Sequence, residues 1–178
     1  DLSFPIDTIN PLVCSSILQV VLTWSKALEN TKKTGTMLAD YIVKQRKQDR
    51  NASFILIGHS LGARVIYHTL RSLSKRKKHL TNVICEVHLL GGAVGNHKEN
   101  WKKTTKYVEG RIFNYFSHHD LVLKTLYRVG TVFSNEPIGI STISGTRKIV
   151  NCDVSSQVRS HMGFVRHSHR FLRTAQKY

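Results

Sequence analysis

The stretch from Ser53 to Ile66 (SFILIGHSLGARVI) constrains this chain more than any other part of its sequence. It begins with Phe54 to Ile57, a short unbroken apolar run typical of a strand that is covered on both faces in a parallel sheet. A Gly-x-Ser-x-Gly turn centred on Ser60 follows. After it, apolar residues recur at helical spacing up to Leu73. The stretch therefore predicts a buried strand, a sharp turn and a helix.

A serine on such a turn is a candidate nucleophile. The turn crowds the backbone on both sides of Ser60, and the glycines at 58 and 62 are expected to relieve that crowding. Because the helix N-terminus presents unpaired N–H groups, the N–H of Leu61 is predicted to face a developing oxyanion. The alternative is a glycine-flanked turn that carries no chemistry.

The rest of the chain predicts alternating strands and helices. Apolar runs typical of strands lie near residues 82–90, 111–117 and 148–154, and helices are predicted over 12–24, 34–48, 61–73, 121–127 and 164–174. This order favours an α/β fold with a mostly parallel sheet flanked by helices. The 178 residues suffice for a single domain spanning 1–178. Because the chain starts at an aspartate, we expect it to be the C-terminal catalytic part of a longer protein.

The acid of a catalytic triad follows the serine in this type of fold, at the end of a later strand. Asp120 comes directly after the third predicted strand and is the first candidate. It would alternatively cap the helix that starts at Leu121. Asp153, near the end of the fourth strand, is the second candidate, with an alternative role in fixing the loop at Ser155 and Ser156.

The base of the triad is predicted to be His161, which follows the fourth strand after a short polar loop. His59, inside the turn, is expected to pack or hydrogen-bond beneath it. The other candidates lie beside Asp120 or in the last helix and fit the role less well: His118, His119, His167 and His169. No metal-binding motif occurs, and no cofactor is predicted.

The net charge of +16 permits an anionic membrane surface, an acidic protein or nucleic acid as a partner. Nucleic acid is the least favoured, because aromatic residues do not alternate with the basic ones. The uncharged segment 12–24 predicts a covered helix, or less well a lid or membrane-contacting helix. The three cysteines, Cys14, Cys85 and Cys152, form no C-x-x-C pair and require no oxidising compartment.

Several blocks together resemble the domain-of-unknown-function 726 family of α/β-hydrolases, which includes transmembrane and coiled-coil domain-containing protein 4. They are Ile57 to Ile66, Trp24-x-x-Ala27, Gly35-x-x-Leu38-Ala39, Leu89 to Val94, Trp101, Gly110 to Asn114, Asp120-x-x-Leu123-x-x-x-Tyr127-Arg128 and Asn151-x-Asp153-Val154-Ser155 with His161. The resemblance covers about residues 20–172 and implies the triad Ser60, Asp120 and His161.

The resemblance also implies an esterase or lipase. Because some relatives are secreted bacterial lipase toxins, a secreted effector acting at a target-cell membrane, with a cognate inhibitor, is one expectation. Such hydrolases carry further strands before the nucleophile, and residues 1–50 do not predict them. The sheet edge left open predicts a partner there, such as the remaining segment of the parent chain. The alternative function is a catalytically inactive hydrolase-like module that binds protein or membrane.

Overall fold

The computed structural model describes the backbone of residues 11–76, 83–128 and 135–175, and the side chains of residues 22–76, 83–126 and 135–173. The expectations for the side chains of residues 12–21, including Cys14, lie outside the described residues. In chain order the elements are α1 (Pro11–Gln48), β1 (Phe54–His59), α2 (Leu61–Ser74), β2 (Ile84–Leu90), α3 (Lys98–Thr104), β3 (Ile112–Phe116), α4 (Leu121–Arg128), β4 (Ile149–Asp153) and α5 (Gly163–Ala175).

The four described strands form one parallel sheet in the order β1-β2-β3-β4. The carboxyl ends of parallel strands meet at one edge, so the turns after β1, β3 and β4 are brought together there. The predicted α/β fold of the α/β-hydrolase type is confirmed: a parallel sheet flanked by helices. In the described part no strand precedes β1, which leaves the strand before Ser60 at the edge of the sheet.

Alternate residues of the strands pack against two different helical layers. Ile112 of β3 joins a core with Ile42 of α1 and Leu70 of α2. The next residue, Phe113, points to the other face and packs with Phe164 and Phe171 of α5. Both faces of β3 are therefore covered, as its unbroken apolar sequence requires.

The prediction that the strand before Ser60 is buried on both faces is wrong. Leu56 is buried in the core that α1 and α2 share, whereas Ile55 and Ile57 are 59% and 53% exposed. Ile55 and Ile57 share one face of β1, and that face is left largely exposed among the described residues. Apolar composition alone does not reveal this, since it reports a preference for burial and not the element that satisfies it.

The two helices predicted over 12–24 and 34–48 are one continuous helix, α1. The segment between them contains good helix formers and no proline, so nothing interrupts the helix. Gly35 allows α1 to approach α2 closely: a Cβ there would lie 2.6 Å from the Cβ of His68 and 2.8 Å from the carbonyl oxygen of Val65. Among the described helices, none is both long enough and apolar enough to cross a bilayer.

Candidate active site

Ser60 lies on a strained turn between β1 and α2. Its φ of 55° and ψ of −115° are unusual for a residue with a side chain, and the surrounding backbone holds it there. The Ser60 N–H donates to the carbonyl oxygen of Leu90 at 3.0 Å, and the Ser60 carbonyl accepts from the N–H of Ala93 at 3.1 Å. These bonds anchor the turn to the carboxyl end of β2.

The two glycines of the turn differ in how strictly they are required. A Cβ at Gly58 would lie 2.6 Å from the carbonyl carbon of Gly62, which is backbone and cannot move aside cheaply. A Cβ at Gly62 would meet nothing within 4 Å. The predicted crowding is therefore found at Gly58, where the backbone of Gly62 is the obstacle, and not at Gly62, where a Cβ would have room.

The three residues predicted as a triad lie in one hydrogen-bonded chain. Nε2 of His161 is 2.8 Å from Oγ of Ser60, and Nδ1 of His161 is 2.6 Å from Oδ2 of Asp120. Asp120 is fully buried, while His161 remains partly accessible. An imidazole placed between a hydroxyl and a buried carboxylate is positioned to accept the hydroxyl proton and to stay in one tautomer.

Asp120 also has the capping role that the sequence left as its alternative. Its Oδ1 accepts the N–H of Leu123 at 3.1 Å, which is the bond that an N-cap residue makes to the first turn of a helix. The two carboxylate oxygens therefore have separate partners: α4 holds one, and His161 contacts the other. Capping fixes the carboxylate, so the same contact that starts α4 also orients the imidazole.

Ser117 connects the loops of the acid and the base, and sequence reasoning did not identify it. Its hydroxyl donates to the carbonyl of Val158 at 2.6 Å and accepts the N–H of His119 at 3.1 Å. Val158 lies shortly before His161, so this one buried hydroxyl ties the two loops together. The only signal in the sequence is a serine at the end of a strand, which is too common to single out.

His59 lies under the turn, as predicted. Its Nε2 is 3.0 Å from the backbone carbonyl of His161, and the two rings are 4.7 Å apart. Burial and the neighbouring His161 lower the pKa of His59, while the hydrogen bond to the carbonyl raises it in part. A neutral His59 that donates to this carbonyl supports the backbone of His161.

Asp153 does not join the triad. Its Oδ1 accepts the N–H of Ser155 at 2.9 Å and the hydroxyl of Ser155 at 2.5 Å, and these bonds lower the pKa of the Asp153 carboxyl. This is the loop-fixing role named as its alternative. His118 and His119 are exposed beside Asp120, and His167 and His169 lie on α5.

Leu61 is the first residue of α2, so its N–H has no carbonyl partner one turn earlier within the helix. Its side chain packs with Trp24 of α1 against a small core that contains Ala93 and Leu123. This core connects α1, α2 and α4 next to the triad. Across the described residues, no three His, Cys, Asp or Glu side chains are grouped as a metal site would require.

A family model for a protein of unknown function (DUF726) matches residues 7–176. An uncharacterized membrane protein of Schizosaccharomyces pombe is 33% identical over 141 residues, which cover 79% of this chain and 18% of the relative. The transmembrane and coiled-coil domain-containing protein STS1 of Oryza sativa is 32% identical over 149 residues, or 84% of this chain and 22% of the relative.

The probable lipase MIL1 of Saccharomyces cerevisiae is 30% identical over 141 residues, which cover 79% of this chain and 13% of the relative. This chain therefore spans less than a quarter of the length of these three relatives. No solved structure matches significantly.

Proposed function

Because this chain belongs to the family described as protein of unknown function (DUF726), in which one relative is named a probable lipase, we propose that it is a serine hydrolase of carboxylic esters, a lipase or phospholipase. The observation that carries the proposal is the chain of hydrogen bonds from Ser60 through His161 to Asp120, at 2.8 Å and 2.6 Å. A structural serine has no need of this arrangement on a strained strand-to-helix turn.

The first step is acylation. Oγ of Ser60 attacks the ester carbonyl carbon while Nε2 of His161 takes the hydroxyl proton. Oδ2 of Asp120 holds the proton on Nδ1 and stabilises the imidazolium. The negative charge moves to the carbonyl oxygen, where the Leu61 N–H at the positive end of α2 donates to it. The tetrahedral intermediate then expels the alcohol, which leaves with the proton from His161.

The second step reverses the roles with water. His161 removes a proton from water, the hydroxide attacks the acyl-enzyme carbonyl, and Oγ of Ser60 leaves with the proton that His161 returns. The products are a carboxylic acid and free enzyme. This sequence needs no cofactor.

The test is labelling of Ser60 by a fluorophosphonate, which reacts only with an activated serine, combined with hydrolysis of short-chain esters and phospholipids. Ser60→Ala is expected to abolish labelling and hydrolysis. A matched control is Ser53→Ala, which removes a serine hydroxyl before β1 and leaves the triad intact. Undiminished hydrolysis by Ser60→Ala would refute the proposed activity.

The second candidate is a non-catalytic module that binds protein or membrane. The open edge of β1 favours it, because such an edge pairs readily with another strand. The exposed Ile55 and Ile57, on one face of β1, give a partner apolar surface to cover. The partner that we propose for this edge is another segment of the parent chain, since the matched relatives are at least four times as long as the matched region. A chain that pairs at this edge and is not labelled at Ser60 would be the module and not the enzyme.

The expectation of a secreted effector toxin with a cognate inhibitor stays a prediction. It differs from an endogenous lipase in one measurable respect. Expression of the active chain inside a sensitive cell should arrest growth, and Ser60→Ala should not. Equal growth with both forms would contradict the toxin role and leave the hydrolase proposal intact.

A further inference from the structure

Four large apolar side chains are exposed next to the residues of the triad. Leu121 and Val122 directly follow Asp120, and Met162 and Val165 lie one and four residues after His161. Their exposed fractions are between 47% and 70%. Nine large apolar side chains are exposed in the described part of the chain, so almost half of them lie within four residues of the acid or the base.

Helix α5 presents two of these residues on the same side as its basic residues. The carbonyl of Met162 accepts the N–H of Arg166 at 3.3 Å, so Met162 is the residue at which the helix α5 starts, directly before Gly163. Residues three and four apart lie on one face, which places Met162, Val165, Arg166 and Arg173 along one exposed stripe. The apolar end of this stripe is next to His161, and the cationic end follows it.

The charged side chains that α4 and α5 carry are all basic. Arg159, Arg166 and Arg173 are exposed, and Lys124 on α4 is partly exposed. Neither α4 nor the sequence from residue 154 to the end contains an aspartate or a glutamate. Exposed aliphatic side chains surrounded by cations complement a bilayer with anionic headgroups, because the aliphatic groups enter the headgroup boundary and the cations remain at the phosphates.

We propose that Leu121, Val122, Met162 and Val165, with the cations that flank them, form a docking face for an anionic lipid bilayer. The proposal rests on the proposed function, because this face would place the N-termini of α4 and α5, and the triad beside them, next to the lipid that would be cleaved. The aliphatic residues supply insertion and the arginines supply the preference for anionic lipid. Nucleic acid fits this face poorly, because the four residues offer no aromatic ring on which a base would stack.

The test is co-sedimentation of the Ser60→Ala protein with vesicles of phosphatidylcholine alone or mixed with phosphatidylglycerol. This variant cannot turn over lipid, so retention reports docking and not catalysis. We expect binding to the mixed vesicles and much weaker binding to phosphatidylcholine alone. Met162→Asp should weaken binding to the mixed vesicles by about ten-fold or more, because it replaces an apolar group that would insert into the bilayer by a carboxylate that the anionic headgroups repel.

The matched control is Met37→Asp, which makes the same change at a methionine of α1 that is 69% exposed, against 65% for Met162. It should bind as the parent does. Equal weakening by both substitutions would overturn the docking face, as would failure of the parent to bind the mixed vesicles. Thermal unfolding of both variants checks that the fold is intact, and Val165→Ser provides a second change without added charge.

The outcomes separate this inference from the proposed function. Fluorophosphonate labelling of Ser60 without vesicle binding would overturn the docking face and leave the hydrolase. Vesicle binding that depends on Met162, without labelling, would support the face and refute the hydrolase. Retention of the Met162→Asp protein by phosphatidylcholine alone as strongly as by the mixed vesicles would also contradict the preference for anionic lipid.

Discussion

Replacing Asp120 by asparagine separates the two contacts of this carboxylate. The asparagine oxygen can still accept the Leu123 N–H, so the cap on α4 is retained. Its NH₂ group then takes the place of Oδ2, 2.6 Å from Nδ1 of His161, and donates to that nitrogen. The imidazole proton must move to Nε2, which can no longer accept the proton of Ser60.

The magnitudes of the two effects differ greatly. Loss of the correct tautomer in a Ser-His-Asp triad lowers kcat by about 10⁴-fold, which is about 5 kcal/mol of transition-state stabilisation. The free energy of unfolding should change by less than about 1 kcal/mol, since the cap remains. Asp120→Ala should lose the same activity and in addition about 1 kcal/mol or more of stability, because the cap is lost as well.

The assay pairs kcat for a soluble short-chain ester with urea unfolding of the same three proteins. A soluble substrate keeps vesicle docking out of the measurement. If Asp120→Asn retains activity within about ten-fold of the parent, the orientation of His161 does not depend on this carboxylate and the triad assignment is refuted. If Asp120→Asn is as unstable as Asp120→Ala, the cap is not the structural contact that we describe.

Three further predictions concern the turn and the helical layer. Gly58→Ala should abolish labelling of Ser60 and destabilise the fold, because its Cβ would lie 2.6 Å from the backbone of Gly62. Gly62→Ala is the control, because a Cβ at Gly62 meets nothing within 4 Å. Gly35→Leu should lower the urea midpoint by separating α1 from α2, whereas Thr36→Leu, at the exposed neighbouring position, should not. The third prediction concerns pH: burial, with Arg64 nearby, lowers the pKa of His68 from 6.5 to about 4, so acid should destabilise the fold.

The lowered pKa of His68 makes the free energy of unfolding depend on pH. Between pH 6.5 and about 4, the unfolded chain binds a proton at His68 that the folded chain does not. The free energy of unfolding therefore decreases as pH falls through this window and levels off below it. Unfolding measured against pH should show a shallower slope for His68→Gln. An unchanged slope would mean that other groups cause the acid sensitivity.

The parts of the fold that the sequence predicted are those set by local pattern. The strand before Ser60, the helix after it and the later alternation of elements follow from apolar spacing, and their bounds agree within a few residues. The exposure of Ile55 and Ile57 could not be predicted, because it depends on which element packs on their face of β1. The single long α1 was missed because residues 25–33 are mostly polar, and the burial of Leu28 and Thr31 among them depends on packing that the sequence does not show.

Order along the chain and position at strand ends led to Ser60, Asp120 and His161, and His161 lies within hydrogen-bonding distance of the other two. Their catalytic role stays a prediction. Order and position cannot show that one oxygen of Asp120 caps α4 while the other meets His161, because this depends on side-chain geometry. Nor can they reveal Ser117, whose function arises from a contact with Val158, 41 residues away.

The positive φ of Ser60 means that the residue needed as nucleophile also lowers the stability of the fold. Among the described residues it is the only non-glycine with positive φ, and such a conformation costs about 1–3 kcal/mol when a side chain is present. Glycine adopts it without this cost. A Ser60→Gly chain should therefore resist denaturation better than either the parent or Ser60→Ala, while having no nucleophile at all. Serine at position 60 therefore gives this chain a nucleophile and a lower free energy of unfolding than glycine would give.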